Sequence, residues 1–129
     1  MAELKQELTA EVQELRRTLV AQGALLPEAL VARRLGMTLT ALADTCRRFR
    51  LFAVDVESCA YYPAFFADPE IDRADLGDVI ERLAGVSGWG MYVFFTTPKS
   101  SLAGRTPLDA LRLGQKTEAE LAAVGVATR

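Results

Sequence analysis

The side chains of this 129-residue chain that could do chemistry are few, and their types narrow it at once. There is no histidine. Ser-His-Asp and Cys-His nucleophile arrangements are therefore excluded, as is every zinc site that needs imidazole. Cys46 and Cys59 are the only cysteines, too few for a disulfide framework or a zinc finger, and each is expected as a buried reduced thiol. Carboxylates crowd from Asp68 to Glu81, but their spacing suits helix caps and a solvated helix face better than a converging acid–base pair. The glycines of Gly85-Val86-Ser87-Gly88-Trp89-Gly90 lack the Lys-Ser/Thr that follows a phosphate-cradling loop, and Ser87 to Gly90 is expected as a turn. No catalytic residue, metal site or cofactor is expected, and the chain reads as a binding protein rather than an enzyme.

Charge is the chemistry that remains. The net charge of −2 hides a polarity along the chain. Residues 23–50 hold five bases (Arg33, Arg34, Arg47, Arg48, Arg50) against Glu28 and Asp44, whereas residues 51–90 hold eight acids against two bases. One basic segment in an acidic protein suits a localised anionic partner. The alternative is that these arginines pair with the acidic middle of the chain.

The basic segment has a recognisable order of elements. Leu26 to Gly36 reads as a short helix started by Pro27, with Leu30, Val31 and Leu35 inward and Gly36 turning the chain. Thr38 caps a second helix with Leu42 and Phe49 inward. Phe52, Val54 and Val56 then alternate with Ala53 and Asp55 as a half-buried strand, and a two-residue turn at Glu57-Ser58 leads into Cys59 to Pro63. Helix, turn, helix and hairpin is the order of a winged helix-turn-helix. The run from Leu26 to Phe52 resembles the start of MerR- and excisionase-like DNA-binding domains. That resemblance implies that Thr38, Thr40, Ala43, Asp44 and Arg47 face the major groove, with Arg48 and Arg50 toward the phosphates. Two departures count against it: Asp44 is negative near phosphates, and Ala43 offers no hydrogen bond. A helix-turn-helix kept as scaffold is the competing reading.

A second motif runs from Phe94 to Gly114. Thr106 is placed to cap a helix, Pro107 to occupy its first position, Asp109 to sit three residues after the cap, and Gly114 to stop it. The order Phe94, Phe95, Thr97, Pro98, Leu102, Gly104, Arg105, Thr106, Pro107, Leu108 resembles the toxin-binding domain of Xre/MbcA/ParS-type antitoxins. The resemblance implies that Leu102, Gly104, Arg105, Thr106, Pro107 and Leu108 form a partner-binding motif, the partner being a toxin or other protein. It also implies a helix for Met91 to Thr97, which strand propensity alone would make a strand. The N-terminal part is not that family's usual domain, and only fifteen residues follow Gly114.

The remaining elements position these two motifs. Leu4, Leu8, Val12, Leu15 and Leu19 form one apolar stripe on a helix from about Ala2 to Val20, ended by Gly23. Such a stripe packs within the chain or pairs with its copy in a homodimer. Asp68-Pro69 is expected to open a helical region, with Leu76, Val79, Ile80 and Leu83 as the buried stripe of a helix from Asp72 or Arg73 to Leu83. Phe65 and Phe66 are expected in the core beside Tyr61 or Tyr62. A last helix from Thr117 to about Val124 is expected behind a Thr117–Glu120 capping box.

The fold class expected is mainly α with a small β-hairpin (α+β). The N-terminal amphipathic helix is 1–22, the winged helix-turn-helix 23–66 and the helical antitoxin-like module 67–129. The charged start and the lack of a long apolar run point to a cytoplasmic protein without membrane attachment. The function expected is an antitoxin-like, DNA-binding transcriptional regulator acting on double-stranded operator DNA as a homodimer. The alternative is an adaptor that uses the same helices for protein contacts.

Overall fold

Hydrophobic periodicity of two kinds organises the chain, and the computed structural model shows how they combine. It describes residues 2–127, with side chains from residue 10 onward. Seven helices and three strands follow in the order α1 (Ala2–Ala21), β1 (Leu25–Pro27), α2 (Glu28–Leu35), α3 (Leu39–Arg47), β2 (Val54–Val56), β3 (Cys59–Pro63), α4 (Arg73–Arg82), α5 (Gly88–Thr96), α6 (Pro107–Arg112) and α7 (Lys116–Ala127) among the described residues. The expected α+β class is the one observed, mainly helical with a small antiparallel sheet.

The sheet has the order β1-β3-β2, both pairings antiparallel, with Leu26 opposite Tyr62 and Asp55 opposite Ala60. Its hairpin turns at Glu57 and Ser58, whose φ values of 52° and 67° are those a two-residue primed turn demands. Strand β1 is an addition to the expected hairpin. Pro27 ends it with φ −64° and ψ 156°, and α2 begins at Glu28. Gly36 takes the left-handed conformation (φ 67°) that closes α2 and turns the chain toward α3. Thr38 caps α3 by accepting the Ala41 N–H at 3.0 Å.

One continuous core joins the two halves of the chain. Leu25, Val31, Leu42 and Val54 from the sheet and helix-turn-helix share it with Leu76, Ile80, Phe95, Leu108 and Ala123. An aromatic cluster forms the seam: the Phe52 ring lies 5.2 Å from Phe66 and 6.1 Å from Phe95, and Phe65 lies 5.5 Å from Phe95. These aromatic pairs add packing energy beyond their burial. Leu76, Val79 and Ile80 of α4 and Leu83 at its C-cap are all buried, as their spacing requires.

Five expectations are corrected. Phe49 does not face the core; it is 57% exposed. Ser87 to Gly90 is not a turn: Ser87 accepts the Gly90 N–H at 3.0 Å and caps α5. Asp68 does not start a helix. It accepts the Glu70 N–H at 2.9 Å, and Asp72 caps α4 by accepting the Asp75 N–H at 3.0 Å. Thr117 lies inside the first turn of α7 rather than at its cap. Cys59 is exposed, and Cys46 is only half-buried.

Candidate nucleic-acid and partner interfaces

Helix α3 is held by the core through Leu42 and, one turn on, the half-buried Cys46, so the opposite side of the helix faces outward. Thr40, Ala43, Arg47 and Arg48 are exposed, and Asp44 is half-exposed. Three of these charges are one unit. Arg48 Nε lies 3.0 Å from Asp44 Oδ2, and Arg47 Nη2 lies 3.6 Å from Asp44 Oδ1. Both guanidiniums remain more than 70% exposed, so the pairing is a solvated one of small strength. Arg33 and Arg34 extend from the last turn of α2, exposed and without an ion-pair partner among the described residues. A groove of about 320 Å³ runs beside α3, lined by Leu35, Met37, Thr45, Arg48 and Arg73 among others.

Arg50 is corrected from phosphate-facing to structural. Its guanidinium meets Asp78 at 2.6 Å and Glu81 at 3.1 Å, and it donates to the Ala74 carbonyl at 3.0 Å. It lies flat against α4 at Gly77, where a Cβ would come within 2.6 Å of Arg50 Cζ. Asp78 also receives Lys116 Nζ at 2.5 Å. Lys116 and then Arg50 hold the Asp78 carboxyl below its ordinary range, and the hydrogen bond that Arg50 donates to Asp78 raises Arg50 in turn. Arg50 therefore ties the end of the helix-turn-helix to α4. Thr38 is likewise occupied, its hydroxyl serving as the cap of α3.

The hairpin carries no base. Its exposed positions include Asp55, Glu57 and Ser58, and Glu57 at the tip is paired with Arg17 of α1. Arg16 stacks over Trp89 at 4.4 Å, and Trp89 Nε1 donates to the Asp55 carbonyl at 3.0 Å. These contacts fasten α1 and α5 to the hairpin. On α1 itself Val12 and Leu15 are 41% and 66% exposed, whereas Leu19 packs against the core. The side chains of Leu4 and Leu8 lie outside the described residues.

The motif ahead of α6 divides in two. Leu102, Pro107 and Leu108 are buried, and Thr106 accepts the Asp109 N–H at 3.1 Å. Of the expected partner-binding motif these four are therefore framework, and their side chains are not free to meet a partner directly. Gly104 (φ 82°) and Arg105 are exposed, and the Arg105 side chain has no partner among the described residues. Beside them a groove of about 380 Å³ lies between Lys99, Ser101 and the Leu121, Ala122 and Val126 side of α7. Leu121, which lines this groove, is an exposed apolar residue, as is Leu113 at the end of α6.

Tyr62 and Cys46 are the other perturbed groups near the basic face. Burial, with a contribution from Cys46, pushes the Tyr62 hydroxyl up to about 12, and burial raises the Cys46 thiol. Both stay neutral, which suits packing rather than chemistry. Among the described residues no group of three His, Cys, Asp or Glu side chains could hold a metal ion.

No family model matches the chain, and no curated protein matches it. A solved structure does. The NMR structure of Rv2175c superposes with a TM-score of 0.65 at 22% identity, covering 80% of this chain and 80% of that one. This likeness shows the fold alone.

Sequence reasoning missed two exposed apolar residues that flank the basic face, Leu39 at the start of α3 (51% exposed) and Phe49 after its end. For Phe49 the sequence offered a weak signal: two arginines precede it and one follows, an unusual setting for a core residue. No helix of the described residues is long and apolar enough to cross a membrane.

Proposed function

We propose that the chain is a cytoplasmic, DNA-binding transcriptional regulator of antitoxin-like type. One observation carries the reading: α3 follows a tight turn from α2 and keeps Thr40, Ala43, Asp44, Arg47 and Arg48 on its open face. A helix so presented fits the major groove, and a hairpin follows where a wing belongs. Thr40 and Arg47 would meet base edges, and Arg48, joined by Arg33 and Arg34 in place of Arg50, would hold phosphates. Asp44 would lower the affinity and restrain Arg47 and Arg48 until the phosphates compete for them. In the C-terminal part, Gly104 and Arg105 with the groove beside α7 would receive a toxin or other protein partner. The adaptor reading is favoured by a separate observation, the acidic hairpin, which offers a duplex no positive charge.

Titration of the full chain against a labelled duplex from its own upstream region tests the proposal. Binding at ~50 mM salt should weaken steeply as salt rises. Arg48→Ala should flatten the log–log salt slope by about one unit, and Asp44→Asn should tighten binding to every sequence. Absence of binding at ~50 mM salt would leave the adaptor reading in place.

A further inference from the structure

The end of α3 holds a residue that its backbone conformation disfavours. The Phe49 N–H returns to the Cys46 carbonyl at 3.0 Å, and the Arg50 N–H returns to the Thr45 carbonyl at 3.2 Å. This is a Schellman closure, whose left-handed position is ordinarily glycine. Phe49 occupies it at φ 59°. For a bulky side chain that conformation is strained, because Cβ crowds the backbone. The ring gains little in return within the chain: it is 57% exposed and joins none of the aromatic pairs among the described residues. An exposed aromatic ring held at a strained position points to a binding role.

The surroundings favour one class of occupant. Arg47 and Arg48 immediately precede the ring and are exposed, while Arg50 beyond it is consumed by α4. A ring bordered by exposed guanidiniums matches a surface that is anionic at its edges and apolar between them. Duplex DNA is such a surface, with phosphates flanking thymine methyl groups and deoxyribose. We propose that Phe49 is an apolar DNA contact, its ring packing on thymine methyl or sugar surface while Arg47 and Arg48 engage the same stretch of duplex. This rests on the DNA-binding reading above. It adds a non-ionic term to binding that the arginines cannot supply.

Phe49→Gly and Phe49→Asn test it, because both residues accept the left-handed conformation and leave the fold intact. Binding is measured with the labelled upstream duplex, together with thermal unfolding and light scattering. Both variants should lose roughly ten-fold or more in affinity, the scale of one phenyl ring left unburied. Their salt slope should stay that of the parent, since no phosphate contact is removed. Their Tm should be unchanged or higher, and Phe49→Trp should retain binding. Parent-like affinity in both variants overturns the proposal. So does a lowered Tm, which would make the ring structural, or the loss of a dimer, which would make it a protein contact. Failure of the parent chain itself to bind DNA overturns the DNA-binding reading as well, so the two failures are distinguishable.

Discussion

Arg50 and Arg48 stand two residues apart and have opposite environments. Arg48 is 74% exposed and shares Asp44, whereas Arg50 is 29% exposed and held by two carboxylates and a carbonyl of α4. Nothing local in the sequence separates them, because the partners of Arg50 lie 24 to 31 residues downstream. The one trace is Gly77 inside a helix, where glycine is costly unless something must approach closely. Arg50→Ala should therefore destabilise the fold by about 1.5–3 kcal/mol, the range for hydrogen bonds to charged groups. It should leave any DNA salt slope unchanged, in contrast to Arg48→Ala. The sign with pH follows from Asp78. Its folded carboxyl is depressed, so its stabilising contribution is complete above the ordinary carboxylate range and is lost as pH falls through the folded value. Stability measured by denaturant should be level near neutral pH and fall below about pH 4. The amplitude of that fall should be smaller in Arg50→Ala, whose Asp78 keeps only Lys116.

Caps and periodicity made most elements legible, and their failures have physical causes. Thr38 and Thr106 were readable because each precedes an apolar stripe at the right distance, and both hydroxyls accept the expected N–H. Asp68-Pro69 carried the same signal falsely. Its carboxylate serves a local turn and Arg112, at 2.8 Å, and so is not available to a helix. The glycines before Met91 suggested a turn, yet the spacing of Met91, Phe94 and Phe95 is helical and all three are buried. Strand propensity in that segment lost to the apolar face it had to bury. Strand β1 is three residues long and has no period to read. The Thr106 cap can be measured directly. Thr106→Ala should cost roughly 0.5–2 kcal/mol in urea unfolding with an unchanged m-value. A loss well below that range would mean that burial of Pro107 and Leu108, rather than the cap, sets the start of α6.

At the scale of the whole molecule, the helix-turn-helix and the C-terminal helices cannot be separated without opening the aromatic seam at Phe52, Phe65 and Phe95. Both candidate interfaces are therefore mounted on one continuous core, and a partner at α7 would bear on α3 only through it. The N-terminal helix stands differently. Its last turns are fastened by Leu19, Val20, Arg17 and the stacking of Arg16 on Trp89, while Val12 and Leu15 extend their stripe into solvent. An apolar stripe that begins in the core and continues outside it suits pairing with the same helix of a second chain. A two-fold dimer would in turn present two copies of α3 to a palindromic site with half-sites about one helical turn or a multiple apart. Deleting residues 1–22 would test this poorly, since it removes Leu19 and Val20 from the core along with the exposed stripe. Leu15→Asp is the cleaner change: the residue is 66% exposed, so a charge there costs the isolated chain little, but two such charges would face each other across a dimer. Light scattering should give the parent chain twice its monomer mass and the variant the monomer mass, with the two melting alike when extrapolated to low concentration. On a palindromic duplex the variant should bind each half-site independently and lose the steepness of the parent isotherm. A Leu15→Asp chain that keeps the parent's mass would remove this stripe from any interface.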